Sequence, residues 1–320
     1  MFAAYAARFD RDQPLNALEL GDRPEPEART DWAVVDVRAA SLNHHDLWSL
    51  RGVGLAAEAL PMTLGCDAAG VDEDGNEVLV YSVIGATGHG VGPTERRTLL
   101  SEKYQGTLAE RVAVPRWNVL PKPKELSFEE AACLPTAWLT AYRMLFTNAG
   151  VRPGDSVLVQ GAGGGVATAA VVLGAAAGLR MLVTSRDAAK RERAVALGAE
   201  AAFESGARLP RRVDAVLETV GAATWSHSVK SLRPGGTLVI SGATSGQAPP
   251  SAELNRIFFL ELKVVGSTMG SREELASLAS FCAAKGIRPV IDTVLPLDRA
   301  REGFARMAAG EQFGKIVLTM

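Results

Sequence analysis

Residues 156–190 read SVLVQGAGGGVATAAVVLGAAAGLRMLVTSRDAAK. The first five, Ser156–Gln160, are an apolar run suited to a strand buried on both faces of a parallel sheet. Four glycines then crowd a turn: Gly161, Gly163, Gly164 and Gly165. An Ala/Val/Leu helix follows from Val166 to about Ala177, and a second apolar run, Met181–Thr184, predicts the next strand. Strand, turn, helix and strand make one right-handed crossover. Without Cβ atoms, the turn lets a pyrophosphate approach the backbone, and the first free amides of the helix point at it. A glycine turn alone is a weak signal; between this strand and this helix it marks a dinucleotide site.

The spacing departs from the usual fingerprint in two places. Reading Gly161, Gly164 and Ala167 as the three small positions leaves Ala at the third, where the task is close helix–strand packing. An NAD site carries Asp or Glu at the end of the second strand, about 20 residues beyond the turn, to hold the ribose 2′-hydroxyl. Ser185 and Arg186 stand there instead. A carboxylate repels a 2′-phosphate, whereas a hydroxyl and a guanidinium bind one. Lys190, one turn on, adds charge. The cofactor expected is therefore NADPH, bound by Gly161, Gly163, Gly164, Gly165, Val166, Ser185, Arg186 and Lys190. Asp187 beside them counts against this, and a solvated Arg186 is the plain alternative.

At 320 residues the chain is long enough for one large domain or two. A net charge of −2 gives no electrostatic case for nucleic acid or membrane. Cys66, Cys133 and Cys282 form neither a disulfide framework nor a CxxC metal pattern, as expected in a reducing cytoplasm. MFAAYAARFDRDQ carries early charges and does not read as a signal peptide, and no apolar run reaches membrane-span length.

Along the chain, residues 1–124 read as a strand-rich domain. WAVVDVRA (32–39) alternates, Asn43–Leu50 is helix-like, and Glu77–Tyr81, Thr107–Val114 and Asn118–Leu120 are strand-like. The stretch 85–92, GATGHGVG, reads as a loop. Ser127 with Glu130 forms a capping-box pattern ahead of an apolar helix to about Leu145. Alternating helices and strands then fill 125–266, with later strands at Ala201–Phe203, Asp214–Glu218, Thr237–Ile240 and Leu262–Val265. Residues 267–320 hold helices at Glu273–Ala284 and Leu297–Ala309, with strand-like runs at Pro289–Leu295 and Lys315–Leu318.

LPKPKELSFEEAACLPTAWLTAY, VLVQGAGGGVA, LRPGGTLVISG and the closing GKIVL resemble the medium-chain dehydrogenase/reductase superfamily over almost the whole chain. The resemblance implies an α/β protein with a GroES-like β-rich catalytic domain, 1–124 completed by 267–320, and a doubly wound Rossmann domain at 125–266. It implies an active site in the cleft between them and a homodimer formed through the edge of the Rossmann sheet. It also splits the possibilities, since the superfamily holds zinc enzymes and zinc-free reductases. The first zinc ligand position resembles Asn43 in SLNHHDLW, the second Cys66 in Gly65-Cys66-Asp67, and the third Thr136. Asn and Thr are poor zinc ligands, and 85–104, where a structural zinc lobe would carry four cysteines, has none. The expected metal is none; an unusual site from His44, His45, Cys66 or Asp67 is the alternative.

Without a Lewis acid, a plain ketone is a hard substrate and a conjugated acceptor an easier one. The expected reaction is NADPH-dependent hydride transfer to a quinone or an α,β-unsaturated carbonyl compound. The resemblance assigns Asn43, Asp46 and Thr140 to the catalytic site, Asp46 in support and Thr140 against the nicotinamide. It assigns Gly242, Ala243, Thr244, Gly266, Ser267 and Thr268 to the nicotinamide end of the cofactor. An N-cap role for Asn43, core packing for Trp48 and Trp138, and a merely structural Cys66 and Asp67 stand beside these readings. Two other functions stay open: a zinc alcohol dehydrogenase, and a non-catalytic NADPH-binding sensor or structural protein.

Overall fold

The computed structural model describes residues 1–27, 29–85 and 97–320. The expected loop at 85–92 therefore falls, but for Gly85, outside the described residues. The chain divides into two compact units, residues 138–270 and residues 1–137 with 271–320.

Unit 138–270 is built on six parallel strands. In chain order they are β1 (Ser156–Gln160), β2 (Arg180–Thr184), β3 (Ala201–Phe203), β4 (Val213–Glu218), β5 (Leu232–Ile240) and β6 (Lys263–Gly266). Their order across the sheet is β3-β2-β1-β4-β5-β6. The order reverses at β1, which places the mouth of the doubly wound fold after that strand. Helices α1 (Gly165–Ala176), α2 (Ala188–Ala196), α3 (Trp225–Ser231) and α4 (Leu254–Phe259) connect the strands. Every residue of β1 is buried, as an apolar run in a parallel sheet requires. Leu158, Leu182, Val216 and Leu238 join one core across four strands.

The first glycine of the turn, Gly161, has φ +85°, a backbone conformation open to glycine at no steric cost. Close helix–strand packing, assigned from the sequence to Ala167, is sharpest at Gly174. A Cβ there would lie 2.3 Å from the sulfur of Met181 on β2.

The other unit is mainly antiparallel. Trp32–Ser41 alternates buried and exposed positions until its last residues, which are all buried. It pairs with Asp67–Val71, with Arg111–Pro115, and through Ala39–Ser41 with the terminal strand Lys315–Thr319. That last pairing returns the end of the chain to the first sheet. Val35, Val37, Leu50, Leu64, Phe304, Ile316 and Leu318 share its core.

Three expectations need correction. The first unit extends to Ala137 rather than ending at 124, because the capped helix Phe128–Ala131 packs on strands Trp32–Ser41 and Asp67–Val71. The second ends at Gly270 rather than 266. The single helix expected to Leu145 is a series of turns of changing pitch, with wider π turns at Leu134–Trp138 and Arg143–Ala149.

Candidate active site

In unit 138–270 the residues predicted to hold the dinucleotide follow the carboxyl ends of the strands. Gly164 is the N-cap of α1 with extended backbone (φ −75°, ψ 159°), and no side chain caps the helix. The first amides of the helix, from Gly165 and Val166 onward, have no intrahelical partner. A Cβ on Gly164 would meet nothing within 4 Å. The helix dipole adds partial positive charge at this end.

The loop after β2 is more ordered than the sequence suggests. Ser185 is buried; its N–H donates to Phe203 O at 3.0 Å, and its Oγ accepts from the Asp187 N–H at 3.2 Å. The Asp187 carboxylate accepts from the Lys190 N–H at 3.1 Å and so caps α2. The acid that counted against a phosphate site is thus occupied in starting a helix. Arg186 is exposed. Arg191 went unnoticed in the sequence: it is half-buried and donates from Nη1 to Ser185 O at 2.7 Å. Its spacing from the Asp187 cap, one helical turn, was the signal that could have found it.

After β5, the main chain of 242–245 lies on the loop after β4. The Thr244 N–H donates to Thr219 O at 3.3 Å and the Ser245 N–H to Val220 O at 2.7 Å. A Cβ on Gly242 would approach Thr219 O to 3.0 Å. After β6, the Ser267 N–H donates to Ile240 O at 2.7 Å and its Oγ to Asn148 Oδ1 at 2.9 Å. Gly266 and Thr268 on either side are exposed, and Ala243 is half-buried. Thr140 is buried in the helical turn Leu139–Tyr142, which packs on α1.

In the other unit two of the predicted catalytic residues, Asn43 and Asp46, lie in a buried polar cluster. Asn43 precedes helix His44–Leu50 as its N-cap, the plainer of its two readings. Its Nδ2 donates to Asp67 Oδ2 at 2.8 Å and Ser41 O at 3.3 Å, and its Oδ1 accepts from Lys315 Nζ at 2.6 Å. Lys315 also donates to Leu42 O at 2.7 Å and Asp67 Oδ2 at 3.2 Å. Asp67 and Lys315 are 0% and 2% exposed, so this is a buried ion pair completed by neutral donors and acceptors. Asp46 uses both oxygens on main-chain donors, Asn43 N at 2.8 Å and Gly65 N at 3.0 Å. Those main-chain amides are what the Asp46 carboxylate holds. Burial pushes its pKa up.

A second cluster stands beside the first. His45 has Cys66 Sγ 3.4 Å from Nδ1 and Glu102 Oε1 3.3 Å from Nε2. Burial opposes charging His45, but the Cys66 sulfur and the Glu102 carboxylate hold its pKa well above the ordinary imidazole value. Burial pushes the Cys66 thiol up. Trp138 is fully buried, Tyr81 is buried, and Tyr104 packs edge-on against Trp32 at 5.0 Å.

A catalytic zinc needs three Cys, His or carboxylate ligands and an open position. At the three positions the resemblance indicates, Asn43 accepts from an ammonium, the Cys66 thiol donates to Leu100 O at 3.3 Å, and the buried Thr136 hydroxyl has no partner among the described residues. A fixed cation on Asn43 repels a second one. Among the described residues one other triple exists: ligand atoms of His45, Asp46 and Cys66 lie within 4.8 Å of one another. There both Asp46 oxygens already accept main-chain N–H groups. The three positions the resemblance indicates do not fit a zinc ion.

Residues 29–124 match the alcohol dehydrogenase GroES-like domain family, and residues 190–318 the zinc-binding dehydrogenase family. The 2-methylene-furan-3-one reductase of Solanum lycopersicum is 31% identical over 92% of this chain and 73% of its own length. The quinone oxidoreductase of Mus musculus is 26% identical over 92% and 91%. The crystal structure of an NAD-dependent alcohol dehydrogenase superposes with a TM-score of 0.89 at 33% identity, covering 100% of both chains.

Proposed function

Because the chain belongs to the medium-chain dehydrogenase/reductase superfamily, we propose that it is a zinc-independent, NADPH-dependent reductase of quinones or α,β-unsaturated carbonyl compounds. The observation that carries this reading is the Lys315 ammonium on Asn43 and Asp67. It puts an ammonium group of the protein's own against the residue at the position of a zinc enzyme's first ligand. Without a Lewis acid to polarise a simple carbonyl, the accessible chemistry is hydride addition to an already activated acceptor. Two of the relatives carry names of that chemistry, a furanone reductase and a quinone oxidoreductase.

Bound NADPH supplies the hydride. The amides of 163–166 hold the pyrophosphate, and the absence of Cβ atoms at Gly161 and Gly164 lets it approach. Ser185 and Arg186 bind the 2′-phosphate, with Lys190 adding charge. Gly242, Ala243, Thr244, Gly266, Ser267 and Thr268 bound the nicotinamide end, and Thr140 packs against the ring. The Asn43 and Asp46 cluster fixes the start of helix His44–Leu50, and solvent provides the proton that completes reduction. Three free, buried cysteines support a reducing, cytoplasmic location. Edge strand β6, with Val264 43% exposed, supports pairing with a second copy.

The test is NADPH oxidation against a panel of quinones and enones, with simple aldehydes and ketones as controls. Turnover confined to the activated acceptors is expected; turnover confined to the simple aldehydes and ketones overturns the reading. One observation favours a second reading. Asn43 and Asp46 have their polar atoms engaged inside the protein, as a non-catalytic NADPH-binding protein would. Tight NADPH binding with no turnover on the whole panel would select that reading.

A further inference from the structure

The last residues of β1, β2 and β4 are polar, fully buried and joined by hydrogen bonds. Gln160 ends β1, immediately before the Gly161 turn, and Thr184 ends β2, immediately before Ser185. The two are register partners in the parallel ladder. Thr184 Oγ1 donates to Gln160 Oε1 at 2.6 Å. Gln160 Nε2 lies 2.9 Å from both Ser228 Oγ and His227 Nδ1. The other His227 nitrogen, Nε2, lies 2.9 Å from Ala207 O. A carbonyl can only accept, so Nε2 carries the proton and Nδ1 accepts from Gln160. Ser228 Oγ donates onward to Glu218 Oε2 at 2.6 Å. Glu218 ends β4 and gathers the N–H groups of Val220 and Gly221 and the Thr224 hydroxyl.

The run of donors therefore has one direction, Thr184 to Gln160 to Ser228 to Glu218. Apolar side chains would fill the interior of a parallel sheet without the cost of burying these groups. A satisfied polar network instead fixes positions rigidly. What it fixes here is the end of β2 relative to the end of β1. In an adenine dinucleotide carrying a 2′-phosphate, that phosphate and the pyrophosphate hang from the same ribose. A site for both requires the Ser185 loop and the Gly161 turn at one separation; a ligand with a free 2′-hydroxyl makes a weaker demand on the Ser185 loop.

We infer that Thr184 and Gln160 are positioning residues that set the preference for a 2′-phosphorylated dinucleotide, by locking the Ser185 loop to the Gly161 turn. The inference rests on the NADPH reading above. It is tested by fluorescence titration of NADPH and NADH on wild type, Thr184→Val and Thr184→Ser. Thr184→Val keeps the shape and removes the donor; Thr184→Ser keeps the donor. The wild type should bind NADPH more tightly than NADH. Thr184→Val should lose about ten-fold on NADPH and less than about two-fold on NADH, while Thr184→Ser stays near wild type. Should Thr184→Val fail to fold, Thr184→Cys takes its place. A wild type without preference overturns the NADPH reading, and the inference with it. A wild type with preference, beside a Thr184→Val whose two affinities fall equally or not at all, overturns the inference alone and leaves the NADPH reading standing.

Discussion

Lys315 Nζ lies 2.6 Å from Asn43 Oδ1, bringing together residues 272 positions apart in the chain. The same ammonium neutralises Asp67, which is fully buried. Removing it leaves a charge in the interior with no counter-ion. Lys315→Met is expected to cost about 3–5 kcal/mol of stability, measured by urea unfolding. Adding Asp67→Asn to Lys315→Met should recover part of that loss. A loss below about 1 kcal/mol in the single variant would show that the pair does not hold the cluster.

The protein as purified should carry no zinc. Native mass spectrometry beside elemental analysis is the measurement. One zinc per chain retained against a chelator would contradict both the Lys315 argument and the occupied oxygens of Asp46.

Arg186 and Arg191 reach the same loop differently. Arg186 is exposed, whereas Arg191 is tied to Ser185 O. Arg186→Ala is expected to weaken NADPH by about ten-fold or more, as loss of a charge-assisted phosphate contact would, with NADH nearly unchanged. Titration of both cofactors checks it, and equal losses would remove Arg186 from the 2′-phosphate site.

The glycine turn separates shape from binding. Gly161 sits at φ +85°, so Gly161→Ala should lose about 1–2 kcal/mol of stability. Gly164 has an ordinary φ of −75° and open space around it, so Gly164→Ala should fold normally. A methyl there would occupy open space next to the first helix amides in sequence, and cofactor affinity should fall with the melting temperature unchanged. Calorimetry and titration of the same two proteins decide it.

His45 gives a pH dependence of definite sign. Its pKa is raised well above the ordinary value on folding. A raised pKa stabilises the fold through the charged form, fully below the unfolded value of about 6.5, and the gain is lost as pH climbs through the folded value. Glu102, pushed down despite burial by its bonds to His45 and the Leu99 N–H, acts at the other end. Its contribution is present above the unfolded carboxyl pKa and lost as pH falls. Unfolding free energy should therefore decline above about pH 6.5 in the wild type and decline less in His45→Gln. Parallel profiles would show that His45 carries no such linkage.

The Rossmann unit was legible because its signals are local. A strand with an apolar centre, a glycine turn and a nearly all-apolar helix each follow from a few consecutive residues, and β1 and β3 have the bounds the pattern gives. The break between units was read too early, since the capped helix at Phe128–Ala131 shows its cap in the sequence but not the sheet it covers. Within the candidate site, Ser185 and Arg186 could be placed after β2 by counting, while Arg191 was missed because its partner is a main-chain carbonyl.

By itself the sequence determined the dinucleotide turn, the succession of strands and helices around it, and the loss of Cys and His at two of the three expected ligand positions. Only the tertiary structure decided what replaced them. Asp67 and Lys315 are 248 residues apart, and they meet because Lys315–Thr319 pairs with the end of Trp32–Ser41. Periodicity and capping act over one or two turns of chain; burial of a charge selects its partner from anywhere the fold can bring one.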